Sequence, residues 1–108
     1  MLTEKDYCDY DICVALRELG YYDPIQSNTH LTIHLYDAQK WLREKKNIHV
    51  QVIVYSYTHL WYYTSICHNK IPITLKVGDT VKMFNSYEEA LLEGIKEAIK
   101  ILKDERVN

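Results

Sequence analysis

The stretch from Ser86 to Leu102, SYEEALLEGIKEAIKIL, constrains the fold most, because apolar spacing, capping chemistry and charge order all predict the same element. Leu91, Ile95, Ala98 and Leu102 recur at steps of four, three and four, with Leu92 and Ile99 beside them, which is the apolar stripe of an amphipathic helix. Ser86 is placed to cap that helix, and Glu89 follows three residues later as its capping-box partner. Acids come first (Glu88, Glu89, Glu93) and bases last (Lys96, Lys100, Lys103, Arg106), the order favoured by the helix macrodipole. Gly94 lies inside the helix at a cost of ~1 kcal/mol relative to alanine, which points to close packing there. Such a stripe requires a flat apolar surface to cover it.

The surface is predicted from His49 to Tyr57, HVQVIVYSY, where Val50, Val52 and Val54 alternate with His49, Gln51, Ile53 and Tyr55 as in a half-buried strand. A second strand, Leu60 to His68, follows a tight connection at Thr58-His59. Ile71 to Val77 and Thr80 to Phe84 read as two shorter strands around the Gly78-Asp79 turn, with Pro72 marking an edge. Upstream, Thr3 is expected to open a first helix, with Asp6 in its first turn, Tyr7, Ile12, Leu16 and Leu19 on its apolar face, and Gly20 at its end. Residues 21–28 hold Pro24 and a polar cluster and read as a loop. Thr29 to Leu35 fits either a short strand or a helix lead-in. Tyr36 to Lys46 then reads as a second helix, carrying Ala38, Trp41 and Leu42 and stopping at Asn47.

The order is α-α-β-β-(β)-β-α. It predicts an α+β domain of two layers, an antiparallel meander of three or four strands with the helices on one face. If Val50, Val52 and Val54 point inward, the other face carries Tyr55, Tyr57, Trp61, Tyr63 and Cys67. An uncovered aromatic patch of that size is a contact surface.

Composition narrows the function classes. A chain of 108 residues is expected to form one domain, residues 1–108. No segment approaches the ~20 apolar residues of a bilayer span, and the acidic start is unlike a signal peptide, so a cytoplasmic location without membrane contact is expected. Cys8, Cys13 and Cys67 are odd in number and lack Cys-x-x-Cys spacing, which predicts reduced thiols. Charge is uneven, −4 over residues 1–35, +4 over 36–83 and −2 over 84–108. The basic middle is consistent with internal charge balance or with an anion-binding surface.

Two resemblances emerge from particular residues. Lys40-Trp41-Leu42-Arg43-Glu44-Lys45 followed by Asn47-Ile48-His49-Val50, together with Ser86-Tyr87-Glu88-Glu89-Ala90 and Gly94-Ile95-Lys96-Glu97-Ala98, resembles a family of small uncharacterised proteins from gut Bacteroidetes genomes, prophages and mobile elements. The likeness runs from the first helix to Leu102. That family has a Pro-Thr pair ahead of the Trp-containing helix, where Ile33-His34 stands near that point here. It implies an origin and no established activity. Residues 36–102 also resemble a double-stranded-RNA-binding domain in the order helix, strands, helix, with Ser86, Glu89 and Ala90 in a similar frame. Such domains hold phosphate with lysines at the start of the closing helix. Here the matching positions are Tyr87, Glu88 and Leu91, and a carboxylate there repels phosphate.

No catalytic constellation is legible. Cys67 and His68 are adjacent in a strand and so point to opposite faces, which rules them out as a nucleophile and base pair. His30 and His34 lie four apart, with His68 as a third candidate, but no His-Glu-x-x-His is present, so no metal or other cofactor is expected. The glutamates of the final helix read as a solvated face. These residues predict a non-catalytic interaction domain that binds a protein partner or a second copy of itself, and the first resemblance implies a prophage or mobile-element origin. Its contacts would run through Tyr55, Tyr57, Trp61 and Tyr63, or through an edge strand near Ile73 to Val77. The alternative is a nucleic-acid-binding module that uses Lys40, Arg43, Lys45 and Lys46, with Lys70 and Lys82, around Trp41.

Overall fold

A computed structural model of the chain describes residues 7–21, 33–56, 61–69 and 71–107. The elements run α1 (Tyr10–Glu18), α2 (Leu35–Lys46), β1 (Ile48–Ser56), β2 (Trp61–His68), β3 (Ile71–Thr74), β4 (Lys76–Val77), β5 (Thr80–Val81) and α3 (Tyr87–Val107). The protein is α+β with antiparallel sheets, as its sequence predicts. The main sheet has three strands in the order β1-β2-β3, and β4-β5 forms a separate two-stranded hairpin.

The closing helix forms as expected and runs five residues beyond Leu102. The Glu89 N–H donates to Ser86 Oγ at 3.1 Å, the cap bond foreseen from the sequence. Leu91, Ile95, Ala98, Ile99 and Leu102 are buried along its stripe. It lies across β1 and β2 on the same face on which α2 covers β1. The helix and sheet come closest at Gly94, where an added Cβ would stand 2.5 Å from both Thr64 Cγ2 and Val50 Cγ1. The buried Thr64 hydroxyl donates to the Ala90 carbonyl at 2.7 Å beside this crossing. The absent side chain at Gly94 therefore sets the spacing between the layers.

Chain reversals follow the local chemistry. At the end of α1 the Gly20 N–H donates to Arg17 O (3.0 Å) and the Tyr21 N–H to Leu16 O (2.9 Å), a Schellman motif that Gly20 permits at φ 108°. Asn47 ends α2 in the left-handed region at φ 52°.

Two boundaries depart from expectation. The first helix begins at Tyr10 with Asp9 as its N-cap. Thr3 and Asp6 lie outside the described residues, but Tyr7 and Cys8 precede the helix. Tyr7 forms an antiparallel bridge with His34, and the Cys8 N–H donates to Ile33 O at 2.8 Å, so these residues pair with a distant segment instead of extending the helix. Tyr7 is accordingly absent from the helix face, which buries Cys13, Ala15 and Leu16. The second departure lies downstream of β2. The strand expected from Ile71 to Val77 breaks at Leu75, whose N–H bonds to Thr64 O (3.2 Å) while its carbonyl accepts from Lys82 N–H (2.9 Å). Phe84 returns to exchange two backbone bonds with Tyr62 (2.8 and 3.1 Å). The hairpin therefore projects from the sheet as an excursion and adds no fourth strand to it.

Candidate interaction face

The register decides which side chains share a face. Val50 stands opposite Ile66 and Val52 opposite Thr64. Ile66 in turn is opposite Ile73, so these residues look toward the helices. The other face then carries His49, Gln51, Ile53 and Tyr55 from β1, Trp61, Tyr63, Ser65 and Cys67 from β2, and Pro72 and Thr74 from β3. No described element covers it. Of the four residues singled out from the sequence, Tyr55, Trp61 and Tyr63 lie on this face together, and Tyr57 lies outside the described residues. Tyr55 is 65% exposed and Trp61 39%. Tyr55 is the extra residue of a bulge between Val54 and Ser56, and its ring meets that of Tyr63 edge-on at 6.5 Å.

None of the ten side chains on this face is Asp, Glu, Lys or Arg, although such residues make up 26% of the chain. A sheet face that meets only water ordinarily alternates in charged and polar residues. Depletion of charge with enrichment in Tyr and Trp is the composition of an interface core. Sequence alternation identified the aromatic members. Ser65, Pro72 and Thr74 are placed by the register, which shows that the positions between the aromatic residues are neutral too.

The edges of the sheet are less open than its face. Gln39 Nε2 donates to Val50 O at 2.7 Å, so α2 occupies part of the β1 edge. On β3 the Leu75 N–H points to β2, and by alternation Pro72 and Thr74 turn their backbone outward, where proline has no N–H to offer. The segment from Ile73 to Val77 is thus not a continuous edge, because β3 ends at Thr74. Ile71 and Ile73 remain 62% and 37% exposed on the helix side, where β3 overhangs the helical layer.

The basic residues are arranged differently. Lys40, Arg43 and Lys45 are exposed on α2. Trp41 is half-buried: Lys46 Nζ stands 5.5 Å over its ring and Tyr21 meets it edge-on at 5.6 Å. Its faces are engaged within the chain. Lys82 similarly stands 5.3 Å over the ring of Phe84, while Lys70 lies outside the described residues.

The histidines are dispersed. His34 packs between Tyr7 (5.1 Å) and Tyr36 (5.8 Å), and His68 Nε2 lies 2.5 Å from Glu105 Oε1 on α3. His30 is outside the described residues. Among the described residues no three His, Cys, Asp or Glu side chains are grouped to hold a metal ion. Cys67 is on the open face and His68 on the helix-covered one, as alternation predicts. A groove of about 410 Å³ at the C-terminal ends of the helices is lined by Leu19, Lys45, Lys46, Asn47, Leu102 and Glu105. No described helix is long and apolar enough to cross a membrane.

A second aromatic set, on the helix side, has no signature in the local sequence pattern. The rings of Tyr7, His34, Tyr36, Tyr87 and Tyr62 follow one another at 5.1 to 6.2 Å, joining the segment before α1 to α2, α3 and β2. These rings come from four separate segments, and no local spacing signals their meeting. No family model, curated protein or solved structure matches the chain.

Proposed function

We propose that the chain is a non-catalytic protein-interaction domain that works through the open face of its sheet, and that it originates from a mobile element as its family resemblance implies. One observation carries the reading: ten side chains on a sheet face that no described element covers include no Asp, Glu, Lys or Arg, while Tyr55, Trp61 and Tyr63 supply large amphipathic rings. Aromatic residues of this type dominate the energetics of protein contacts. The blunted edges favour contact through the face over strand addition. Nucleic-acid binding through Lys40, Arg43, Lys45 and Lys46 has weaker support, since Lys46 and Tyr21 occupy Trp41 and α3 opens with Glu88 and Glu89.

The test is recovery of bound protein from a nuclease-treated lysate of the native host. The bait is either the native chain or a Trp61→Ser, Tyr63→Ser variant whose helical circular dichroism is unchanged. Stoichiometric protein, whether another species or an untagged copy, is expected on the native bait and absent from the variant. Equal recovery on both baits, or nucleic acid alone on an untreated bait, would refute the reading.

A further inference from the structure

We infer that the occupant of the open face is a second copy of this chain, the two sheets stacking face to face about a twofold axis to give a four-layer α/β/β/α dimer. This rests on the reading of the face as a contact surface and names its partner.

Charge is the first argument. In a twofold interface each residue near the axis meets its own copy, so an acidic or basic side chain there meets its own sign. The face carries no Asp, Glu, Lys or Arg, and the chain's net charge of −2 adds little long-range repulsion. A surface made for a charged partner would display the complementary charge, and none is present.

Hydrogen bonding is the second. A group that meets its own copy must both donate and accept. The Gln51 amide and the hydroxyls of Tyr55, Tyr63, Ser65 and Thr74 all do so. The Trp61 indole N–H is one-way. The polar part of the face is self-complementary without a specific foreign partner.

Extent is the third. Strands of nine, eight and four residues, at ~3.3 Å per residue and ~4.8 Å apart, make a face of roughly 330 Å² in plan. Stacked sheets pack ~10 Å apart with strands about 30° from parallel, which interdigitates the aromatic rings. Ten side chains are about half the 20 to 30 residues that a standard interface contributes per side. The dimer is therefore expected to be reversible and to dissociate on dilution through the micromolar range.

Sedimentation of the intact chain from low to several hundred micromolar tests this, read beside alkylation of Cys67, which lies on the central strand of the face. Cys8 and Cys13 are buried, so the native labelling rate reports Cys67. The expected result is a shift from one chain to two, with Cys67 alkylation slowing severalfold over the same range. Tyr63→Glu and Tyr63→Lys should each stay monomeric at every concentration, and their equimolar mixture should dimerise. A native chain that remains monomeric with constant Cys67 reactivity overturns the inference. In that case a different protein that shields Cys67 in the host lysate preserves the interaction reading, and an unshielded Cys67 removes both. A dimer that persists in folded Tyr63→Glu with Cys67 open also overturns it, because the contact then lies elsewhere.

Discussion

The sheet's two faces are built from the same three strands by the same alternation, yet they carry different obligations. Toward the helices, Ile48, Val50 and Ile66 are buried, and the crossing of α3 is tight enough that Gly94 has no room for a methyl group. Away from the helices the same strands present rings and neutral polar groups with no described element above them. Adjacent residues make the contrast: Tyr62 meets Tyr87 on the helix side, and Tyr63 meets Tyr55 on the open side. One tyrosine joins strand to helix, and the other meets a ring of the neighbouring strand. Side-chain chemistry alone does not separate these roles, but the layer opposite each side chain does.

If the helix-covered face holds the monomer together, truncating it should have the largest effect. Ile66→Ala and Leu91→Ala remove side chains with no exposure and should each lower the unfolding free energy by about 2–5 kcal/mol. Denaturant titration measures this, and a loss under ~1 kcal/mol would mean that the core lies elsewhere.

Gly94→Ala sharpens the comparison at the crossing itself. Alanine gains ~1 kcal/mol of helix propensity, but overpacking costs about 1–3 kcal/mol and both obstructing methyls belong to stiff β-branched side chains. A net loss of about 1 kcal/mol is expected, and it should shrink when Gly94→Ala is measured in a Val50→Ala background, which lacks one of the two obstructing methyls. Strict additivity of the two substitutions would show that they do not meet.

The thiols make the same comparison by chemistry. Burial pushes the Cys8 thiol from an ordinary value of 9.0 up to about 12, with Cys13 and Asp9 adding to it, and burial also raises Cys13. The folded chain thus holds these thiols protonated where the unfolded chain ionises them. Their contribution is complete below pH ~9 and is lost as pH rises toward the folded values. Between pH 8 and 10 the native chain should lose about 1 kcal/mol more stability than Cys8→Ala. Parallel pH profiles would show that Cys8 ionises freely in the native fold.

Where local chemistry sufficed, the architecture was legible. The α3 stripe with Ser86, the stop at Gly20, the alternation of β1 and the left-handed Asn47 each depend on residues within one or two turns. What was hidden depends on distant pairing. The first helix was expected to open at Thr3, whereas its N-cap is Asp9, because Tyr7 bridges to His34 ahead of it. Leu75 continues the alternation of β3, so the departure of the hairpin is invisible until its carbonyl is seen to accept from the Lys82 N–H. The candidate face fell between these cases. Its aromatic members followed from alternation within β1 and β2, but its neutrality required the register of β3.

The smallest expected effect is the most informative about the open face. Ile53→Thr and Tyr63→Thr change cross-strand neighbours that receive no cover from a second layer. Such pairs contribute about 0.2–1 kcal/mol, and threonine retains strand propensity. Measured at concentrations where the chain is monomeric, each variant should unfold within about 0.5–1 kcal/mol of the native protein, several times less than Ile66→Ala. The same two substitutions should weaken association by a larger factor than any stability change accounts for, because they remove apolar area from the contact itself. A loss of 2 kcal/mol or more in the monomer would mean that the rings of this face are already needed to hold the three strands together. Their lack of charge would then be a requirement of folding, and the two faces would share one role.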